Sequence, residues 1–411
     1  MKSIKYIDNE LNIDNVSFKK IEQAFSTPCY IYSQETILNN LSDYSSSLCS
    51  SDLVCYSVKS SNNLAILELI SSNDYGFDVV SKGELQKALY AKANPKKIVF
   101  SGVGKTEEDL SFAIINKIKS INVESYSELK TINKLSKKFN EDVDIALRLN
   151  PEVSSKTHPF LDTGSKDTKF GLSEEEFNSC MQLIDDEANI KLKGLAFHIG
   201  SDIQDFSSYD KAIKVMLKKF NSINKKYPLE FLDVGGGLAI KYFDEDQTIE
   251  IKEFVKKVKQ CIPDNINLIF EPGKSVIGNA GFLLTKVTYK KNKNNPILVI
   301  DAGMNDHIRV PLYGAKHKIL PVNKTNKSVK KVSVVGPICE SADYFDKNFE
   351  YDLDESELLV ICSSGAYGFS MSSNYNARLK PPEVMIKEGK AHLIRKRETF
   401  EDLISNELNL K

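Results

Sequence analysis

At 411 residues the chain is long for one ordinary domain and comfortable for two. Hydrophobic residues make up 41% and charged residues 27%, a globular composition with ample apolar material for a core. With 55 basic against 56 acidic residues the formal charge is −1, which excludes nucleic-acid or membrane-surface binding driven by bulk electrostatics.

The opening MKSIKYIDNELNID has no apolar h-region and carries acids early, so it does not read as a secretory signal. No apolar run approaches the roughly 20 residues of a membrane helix. The cysteines at 29, 49, 55, 180, 261, 339 and 362 are odd in number and form no C-x-x-C pair. That pattern suits free thiols in a reducing cytoplasm, with neither a disulfide framework nor a metal site. Apart from Cys339, these residues are expected to be small core residues.

Serine-rich SSSLCSS (45–51) reads as a turn before the first strand. From about residue 50 to 275, short apolar runs alternate with amphipathic stretches. The runs are LVCYSVK (53–59), YGFDVV (75–80), KKIVFSG (96–102), SINVES (120–125), VDIALRLN (143–150), KGLAFHIG (193–200), LEFLDVGGG (229–237) and INLIFEPG (266–273). Such runs suit strands buried on both faces. Between them, NLAILELISS (63–72) and SSYDKAIKVMLKKFNSINKK (207–226) place apolar residues at helical spacing. LSEEEFNSCMQLIDD (172–186) opens with Ser173 followed by Glu176, a capping-box pattern. Eight such units suit a (β/α)8 barrel, which typically runs about 250 residues, although a doubly wound open sheet uses a similar pattern.

After about residue 280 the helical rhythm largely stops. VTYKK, PILVIDAG, KVSVVGPI, ELLVICSSGAY and EVMIKEGKAHLIRKR point to a β-rich second domain, with Lys/Asn-rich turns such as NKTNKSVKK. The expected division is a barrel over 28–278 and a β-rich domain from 1–27 and 279–411.

Catalytic groups of a (β/α)8 barrel project from the carboxyl ends of its strands. Here the first strand ends in Lys59, the second carries Asp78, and the sixth ends in His198-Ile199-Gly200-Ser201. The seventh ends in Gly235-Gly236-Gly237 and the eighth in Glu271-Pro272-Gly273. A lysine ending an apolar strand is by default the first solvated residue; desolvated among other groups, its amine becomes a Schiff-base nucleophile. A glycine triplet is by default a turn, and it also lets main-chain N–H groups approach a phosphate. Glu271 is either a solvated acid before a Pro-Gly turn or the partner that keeps a pyridine nitrogen protonated. Two nucleotide motifs fail: a dinucleotide fingerprint needs a small residue at Ile240, and SGVGKT (101–106) has Val99 where the first P-loop glycine belongs.

In order along the chain, TPCYIY (27–32), YSVKSSN (56–62), GFDVVSKGEL (76–85), RLNPEVSSKTHPFLDTGSKDTKFGL (148–172), FHIGSD (197–202), LDVGGGLAI (232–240) and EPGKSVIGNAG (271–281) resemble motifs of one family. DAGMNDHIRVPLYGAKH (301–317), VGPICESAD (335–343), GAYGFSMSSNYN (365–376) and YNARLKPPEV (375–384) continue the match. The chain resembles the fold-type III decarboxylases that use pyridoxal 5'-phosphate (PLP), and among them the diaminopimelate decarboxylases. That resemblance implies a PLP-binding (β/α)8 barrel plus a C-terminal β-rich domain, and decarboxylation of meso-2,6-diaminopimelate to L-lysine.

It further implies that Lys59 carries the cofactor, with Asp78 at the same site and His198 stacked on the ring. Ser201, Gly235, Gly236, Gly237, Gly273 and Tyr367 would hold the phosphate, and Glu271 the ring nitrogen. Arg309, Tyr313, Glu340 and Tyr367 would meet the distal part of the substrate. Cys339 would protonate the carbon that lost its carboxylate. In the resemblance Cys339 and Glu340 reach the neighbouring protomer's site, which implies a homodimer with shared sites. Cys339-Glu340-Ser341 with Arg309 resembles the diaminopimelate enzymes, whereas ornithine-type relatives carry Cys-Asp. Lys274 departs from the family's arginine in E-P-G-R; it keeps the charge for cofactor and substrate but loses the bidentate fork. The alternatives are a decarboxylase of ornithine, lysine or another diamine precursor, or a non-catalytic regulator of the same fold.

Overall fold

The computed structural model describes residues 3–153, 168–325 and 328–410. Residues 154–167 of the 148–172 motif, and two residues of the NKTNKSVKK turn, lie outside the described residues. The chain divides into two units, residues 40–240 with 247–275, and residues 1–39 with 241–246 and 276–411.

Strands β1 (Ile4–Ile7), β2 (Glu10–Ile13) and β3 (Val16–Ser17) form a small antiparallel sheet. Ser17 then caps the helix Phe18–Phe25, its hydroxyl oxygen accepting from Lys19 N–H at 3.1 Å and Lys20 N–H at 3.3 Å. Strand β4 (Cys29–Ser33) is buried along its whole length.

The first unit is a barrel. Its strands are β5 (Leu53–Ser57), β6 (Gly76–Val79), β7 (Ile98–Phe100), β8 (Ser120–Val123), β9 (Val143–Arg148), β10 (Ile190–Ala196), β11 (Phe231–Asp233) and β12 (Asn267–Phe270). Among the described residues these eight pair in parallel and close when Ile269 and Phe270 register with Leu53 and Val54. All eight expected runs are strands, so the closed barrel replaces the open-sheet alternative. The runs read clearly because a parallel strand packed on both faces has little room for polar side chains.

The intervening helices start where the sequence supplies caps. Asn63 accepts from Ala65 N–H before the helix Leu64–Ser72. Ser173 and Glu176 form the expected reciprocal capping box before Glu174–Asp186. Ser207–Ile223 buries Tyr209, Met216 and Phe220.

The second unit is β-rich. It contains β13 (Gly281–Lys291), β14 (Ile297–Ile300), β15 (Ile319–Pro321), β16 (Ser328–Val335), β17 (Tyr344–Tyr351), β18 (Leu358–Ile361), β19 (Glu383–Lys387) and β20 (Lys390–Arg395). The sheet order is β17-β16-β14-β13-β4-β19-β20, with β18 also paired to β13 and β15. Its core gathers Phe18, Ile31, Phe282, Leu284, Val360 and Val384 at essentially no exposure, each worth about 1.5–3 kcal/mol of burial if valine-sized or larger. The rings of Phe18 and Phe282 meet edge to face with centroids 6.2 Å apart.

Two boundaries differ from the sequence reading. The barrel is expected from residue 28, yet β4 lies between β13 and β19 of the β-rich sheet and residues up to Asn39 go with it. Residues 241–246, inside the expected barrel span, also belong to the β-rich unit. Of the cysteines expected in the core, Cys49 is exposed on the turn before β5, and Cys261 is half-buried at the end of the helix Ile251–Cys261. Among the described residues no helix is long and apolar enough to cross a membrane.

Candidate active site

Strand β5 stops at Ser57, and a single 3₁₀ turn, Val58–Ser60, carries Lys59 beyond its end. Hydrogen bonds pin that turn: the Ser60 hydroxyl donates to Ser57 O at 2.8 Å, and Ser57 N–H donates to Pro272 O at 3.0 Å. The Lys59 ammonium lies 3.5 Å from Asp78 Oδ2. Lys59 is partly exposed and Asp78 fully buried, so the lysine sits where solvent meets a desolvated acid.

Asp78 does not stand alone. The Ser57 hydroxyl reaches both its Oδ2 at 2.7 Å and the carbonyl of Glu271 at 3.0 Å. Asp78, Asp233 and Glu271 are all buried in this mouth. Asn122 ties the last two together, its amide lying 3.2 Å from Asp233 Oδ2 and 3.4 Å from Glu271 Oε1. Ser101 donates to the same Glu271 oxygen at 3.1 Å.

Loss of hydration pushes the Asp233 carboxyl up to about 6. It pushes Glu271 well above the usual carboxylate range, reinforced by the negative charge of Asp233 and Asp78. Two such carboxyls in contact titrate as a pair and keep a proton near neutrality, Glu271 donating it to Asp233. Asp78 Oδ1 and Asn122 Oδ1 are buried without a hydrogen-bond partner. Unsatisfied oxygens beside proton-sharing acids form a place that would gain from a positive group.

The glycine triplet is required by close backbone approach. A Cβ at Gly236 would lie 2.1 Å from the Glu271 carbonyl oxygen, and one at Gly237 would lie 1.9 Å from Gly200 O. Gly237 also has φ of +104°. Gly236 N–H donates to His198 Nδ1 at 3.2 Å, so the neutral ring carries its hydrogen on Nε2. Desolvation, with the charges of Arg148 and Lys59, holds His198 well below the usual histidine range. Beside this turn, Gly273 is so close to Ser57 and Ser60 that an added Cβ would lie 3.1 Å and 3.2 Å from theirs. Lys274, nearly buried, forms an ion pair with Asp202, next to Ser201. Lys105 of the P-loop-like segment is occupied inside the barrel wall: it pairs with Glu128 at 2.8 Å and donates to two main-chain carbonyls.

Lys59, Asp78, His198, Ser201, the glycine triplet, Glu271, Gly273 and Lys274 thus share the carboxyl ends of the barrel strands. Sequence reasoning missed Ser57, Ser101, Asn122 and Asp233 in the same place. It also missed Arg148, whose guanidinium pairs with Glu124 at 2.5 Å and lies 4.7 Å above the Phe170 ring. A polar residue inside an otherwise apolar run was the signal available for Asn122, Asp233 and Arg148.

Arg309, Tyr313, Cys339, Glu340 and Tyr367 belong to the β-rich unit. Cys339 and Glu340 occupy the loop between β16 and β17 and both are exposed. Asp343 organises this loop, its carboxylate accepting from Ile338 N–H and Met304 N–H at 2.7 Å each. Cys339 N–H donates to Asn376 Oδ1 at 3.0 Å. Arg309 is buried and starts the short helix Arg309–Tyr313, which Gly314 ends at φ of +63°. Tyr367 is half-buried and takes a left-handed φ of +56° between Gly365 and Gly368.

Residues 34–278 match the family model described as pyridoxal-dependent decarboxylase, pyridoxal binding domain. A diaminopimelate decarboxylase of Aquifex aeolicus (strain VF5) is 38% identical, over 99% of this chain and 98% of that protein. The chain belongs to the diaminopimelate decarboxylases. Among solved structures, a diaminopimelate decarboxylase from M. jannaschii superposes with a TM-score of 0.95 at 33% identity, covering 100% of this chain and 98% of that one. The Helicobacter pylori diaminopimelate decarboxylase complexed with L-lysine gives 0.91 at 36% identity, covering 95% and 98%.

The family's cofactor is PLP, and the mouth of this decarboxylase barrel fits it. A basic ring nitrogen suits the proton-sharing pair of Glu271 and Asp233. An aldehyde needs an amine, and Lys59 supplies one beside Asp78. The turn at Gly235–Gly237 would offer a phosphate main chain rather than side chains.

The pairing of Glu271 and Asp233 has a thermodynamic signature. Both folded-state values lie above those of the free side chains, so from roughly pH 4 to above pH 6 the folded chain binds more protons than the unfolded one. These acids therefore favour folding increasingly as pH falls through that window. His198, held low, acts in the opposite direction and cancels when variants are compared. In PLP-free protein, Asp233→Asn should lose part of the gain in urea stability between about pH 7 and 5, by at most about 1.4 kcal/mol per pH unit per proton. An unchanged slope would mean that the two acids titrate independently of burial.

Proposed function

We propose that this chain decarboxylates meso-diaminopimelate to L-lysine and carbon dioxide at the barrel mouth. The observation that carries the reading is Lys59 poised 3.5 Å from a buried Asp78 in a mouth that also buries Glu271, whose carboxyl is pushed by burial well above the usual range. When bound, PLP supplies an electron sink for the bond that breaks.

The chain's own residues supply the rest. Lys59 offers the amine that carries the cofactor, and Asp78 anchors that amine when it is charged. Glu271, with Asp233 and Asn122 behind it, would meet the ring nitrogen and keep a proton there. His198 presents a neutral ring face, oriented through its Nδ1 by Gly236 N–H. Ser201, Gly235, Gly236, Gly237, Gly273 and Tyr367 would hold the phosphate.

Lys274 contributes positive charge near cofactor and substrate, steadied by Asp202. Arg309 takes the carboxylate at the far end of the substrate, Glu340 its ammonium, and Tyr313 and Tyr367 line that end. Cys339 delivers a proton to the carbon that has lost its carboxylate. The exposure of Cys339 and Glu340 on a loop pinned by Asp343 suits a homodimer in which that loop serves the neighbouring protomer's site. Seven free cysteines suit a reducing cytoplasm.

Purified PLP-loaded protein should form lysine from meso-diaminopimelate and leave L-ornithine, L-lysine and D-lysine untouched. Consumption of ornithine or lysine with no turnover of diaminopimelate would transfer the function to that substrate. No turnover of any of them, with PLP bound, would favour a non-catalytic regulator. In sedimentation, the active species should be a dimer; a fully active monomer would end the shared-site reading.

A further inference from the structure

The β-rich unit contains a chain of polar side chains that leads to Arg309 and that the proposed reaction leaves unused: Tyr30, His307, His317 and the half-buried Tyr242. Tyr30, His307, His317 and Arg309 are nearly or wholly buried. The two imidazoles meet edge on, with ring centroids 4.6 Å apart, and Tyr242 meets His317 in the same manner at 5.0 Å.

Counting hydrogens fixes each tautomer. His317 Nδ1 lies 2.9 Å from the carbonyl oxygen of Cys362, which only accepts, so this nitrogen carries the hydrogen, and in the neutral ring Nε2 is a lone pair. His317 Nε2 lies 3.1 Å from His307 Nε2, which must therefore donate. His307 Nδ1 is then a lone pair 3.3 Å from the Tyr30 hydroxyl, whose one hydrogen is directed to Asp306 O at 2.7 Å and is at most shared with the ring. Burial, with His317 and Arg309 close by, holds His307 well below the usual histidine range, so the His307 ring is counted as neutral.

The chain ends on Arg309. Its Nη1 donates to the Tyr242 hydroxyl at 2.8 Å and lies 3.5 Å from the lone pair of His317, while the guanidinium sits 5.6 Å from the centre of the Tyr242 ring. Neutral acceptors orient a cation without cancelling its charge. A guanidinium so oriented keeps its attraction for a carboxylate and arrives with fewer rotamers to lose.

We infer that His307, His317 and Tyr242 are positioning residues for Arg309, and that they set the enzyme's affinity for the substrate end that keeps its carboxylate. The inference rests on the reading of Arg309 as the receptor for that carboxylate. Nothing in the chain reaches the bond that breaks, so its loss should appear in KM and leave kcat nearly unchanged.

Two competing ligands separate the possibilities: L-lysine, which keeps the distal carboxylate, and cadaverine, the same diamine without it. In the holoenzyme, His307→Leu should raise KM for diaminopimelate and Ki for lysine roughly tenfold, the worth of one hydrogen bond to a charged group. Its kcat should stay within about twofold, and its Ki for cadaverine should not move. His307→Gln, which restores a donor near the same place, should recover most of the lysine affinity. Tyr242→Phe removes the other acceptor by a route that leaves the histidines intact, and should show the same selective loss.

Unchanged lysine affinity in His307→Leu and Tyr242→Phe, or equal weakening of lysine and cadaverine, would overturn the inference. Arg309→Met tests the reading beneath it. If that variant still prefers lysine over cadaverine as wild type does, Arg309 is not the carboxylate receptor. If it alone abolishes the preference, the receptor reading stands and the positioning role falls.

Discussion

The site depends on a main-chain contact. The turn after β11 passes the end of β12 so closely that a Cβ at position 236 would meet the Glu271 carbonyl oxygen at 2.1 Å. Glu271 N–H in turn donates to Gly235 O at 2.8 Å. This contact sets Asp233, at the end of β11, beside Glu271, at the end of β12. It also aims Gly236 N–H at His198 and so fixes that ring's tautomer. One glycine position thereby determines the placement of two acids and a histidine.

Holding those acids together is unfavourable for the protein alone. Burying Asp78, Asp233 and Glu271 in one mouth removes their hydration, and the chain keeps two of them partly protonated rather than carry three adjacent negative charges. Ser57, Ser101 and Asn122 satisfy some of their oxygens, but Asp78 Oδ1 remains without a partner. A fold selected for stability alone would fill this space with apolar side chains. Retaining the acids is the strain expected at a functional site, and a cationic ring bound there would relieve it.

The barrel was legible because its strands, buried on both faces, leave continuous apolar runs, and because Lys59, Asp78, His198 and Glu271 interrupt those runs near their ends. Asp233 and Asn122 interrupt runs in the same way, yet each stands beside a stronger signal: the glycine triplet for Asp233, and a short four-residue strand for Asn122. The expected barrel span from residue 28 took in β4, whose partners β13 and β19 lie hundreds of positions along the chain, beyond the reach of local sequence. The His307–His317 pair was invisible for a related reason. Ten residues separate the two, and only the path from the helix Arg309–Tyr313 to β15 turns one ring onto the other. Residue type revealed the chemistry of single positions, whereas contacts made through long-range pairing required the fold.

Glu271 and its buried partners are expected to hold a protonated ring nitrogen when PLP is bound. The most direct measurement is the nitrogen-15 resonance of ring-labelled PLP in the holoenzyme, compared with Glu271→Gln. The account predicts a protonated nitrogen in the wild type and an unprotonated one in the variant. An unprotonated nitrogen in the wild type, or a protonated one that ignores the loss of Glu271, would contradict it.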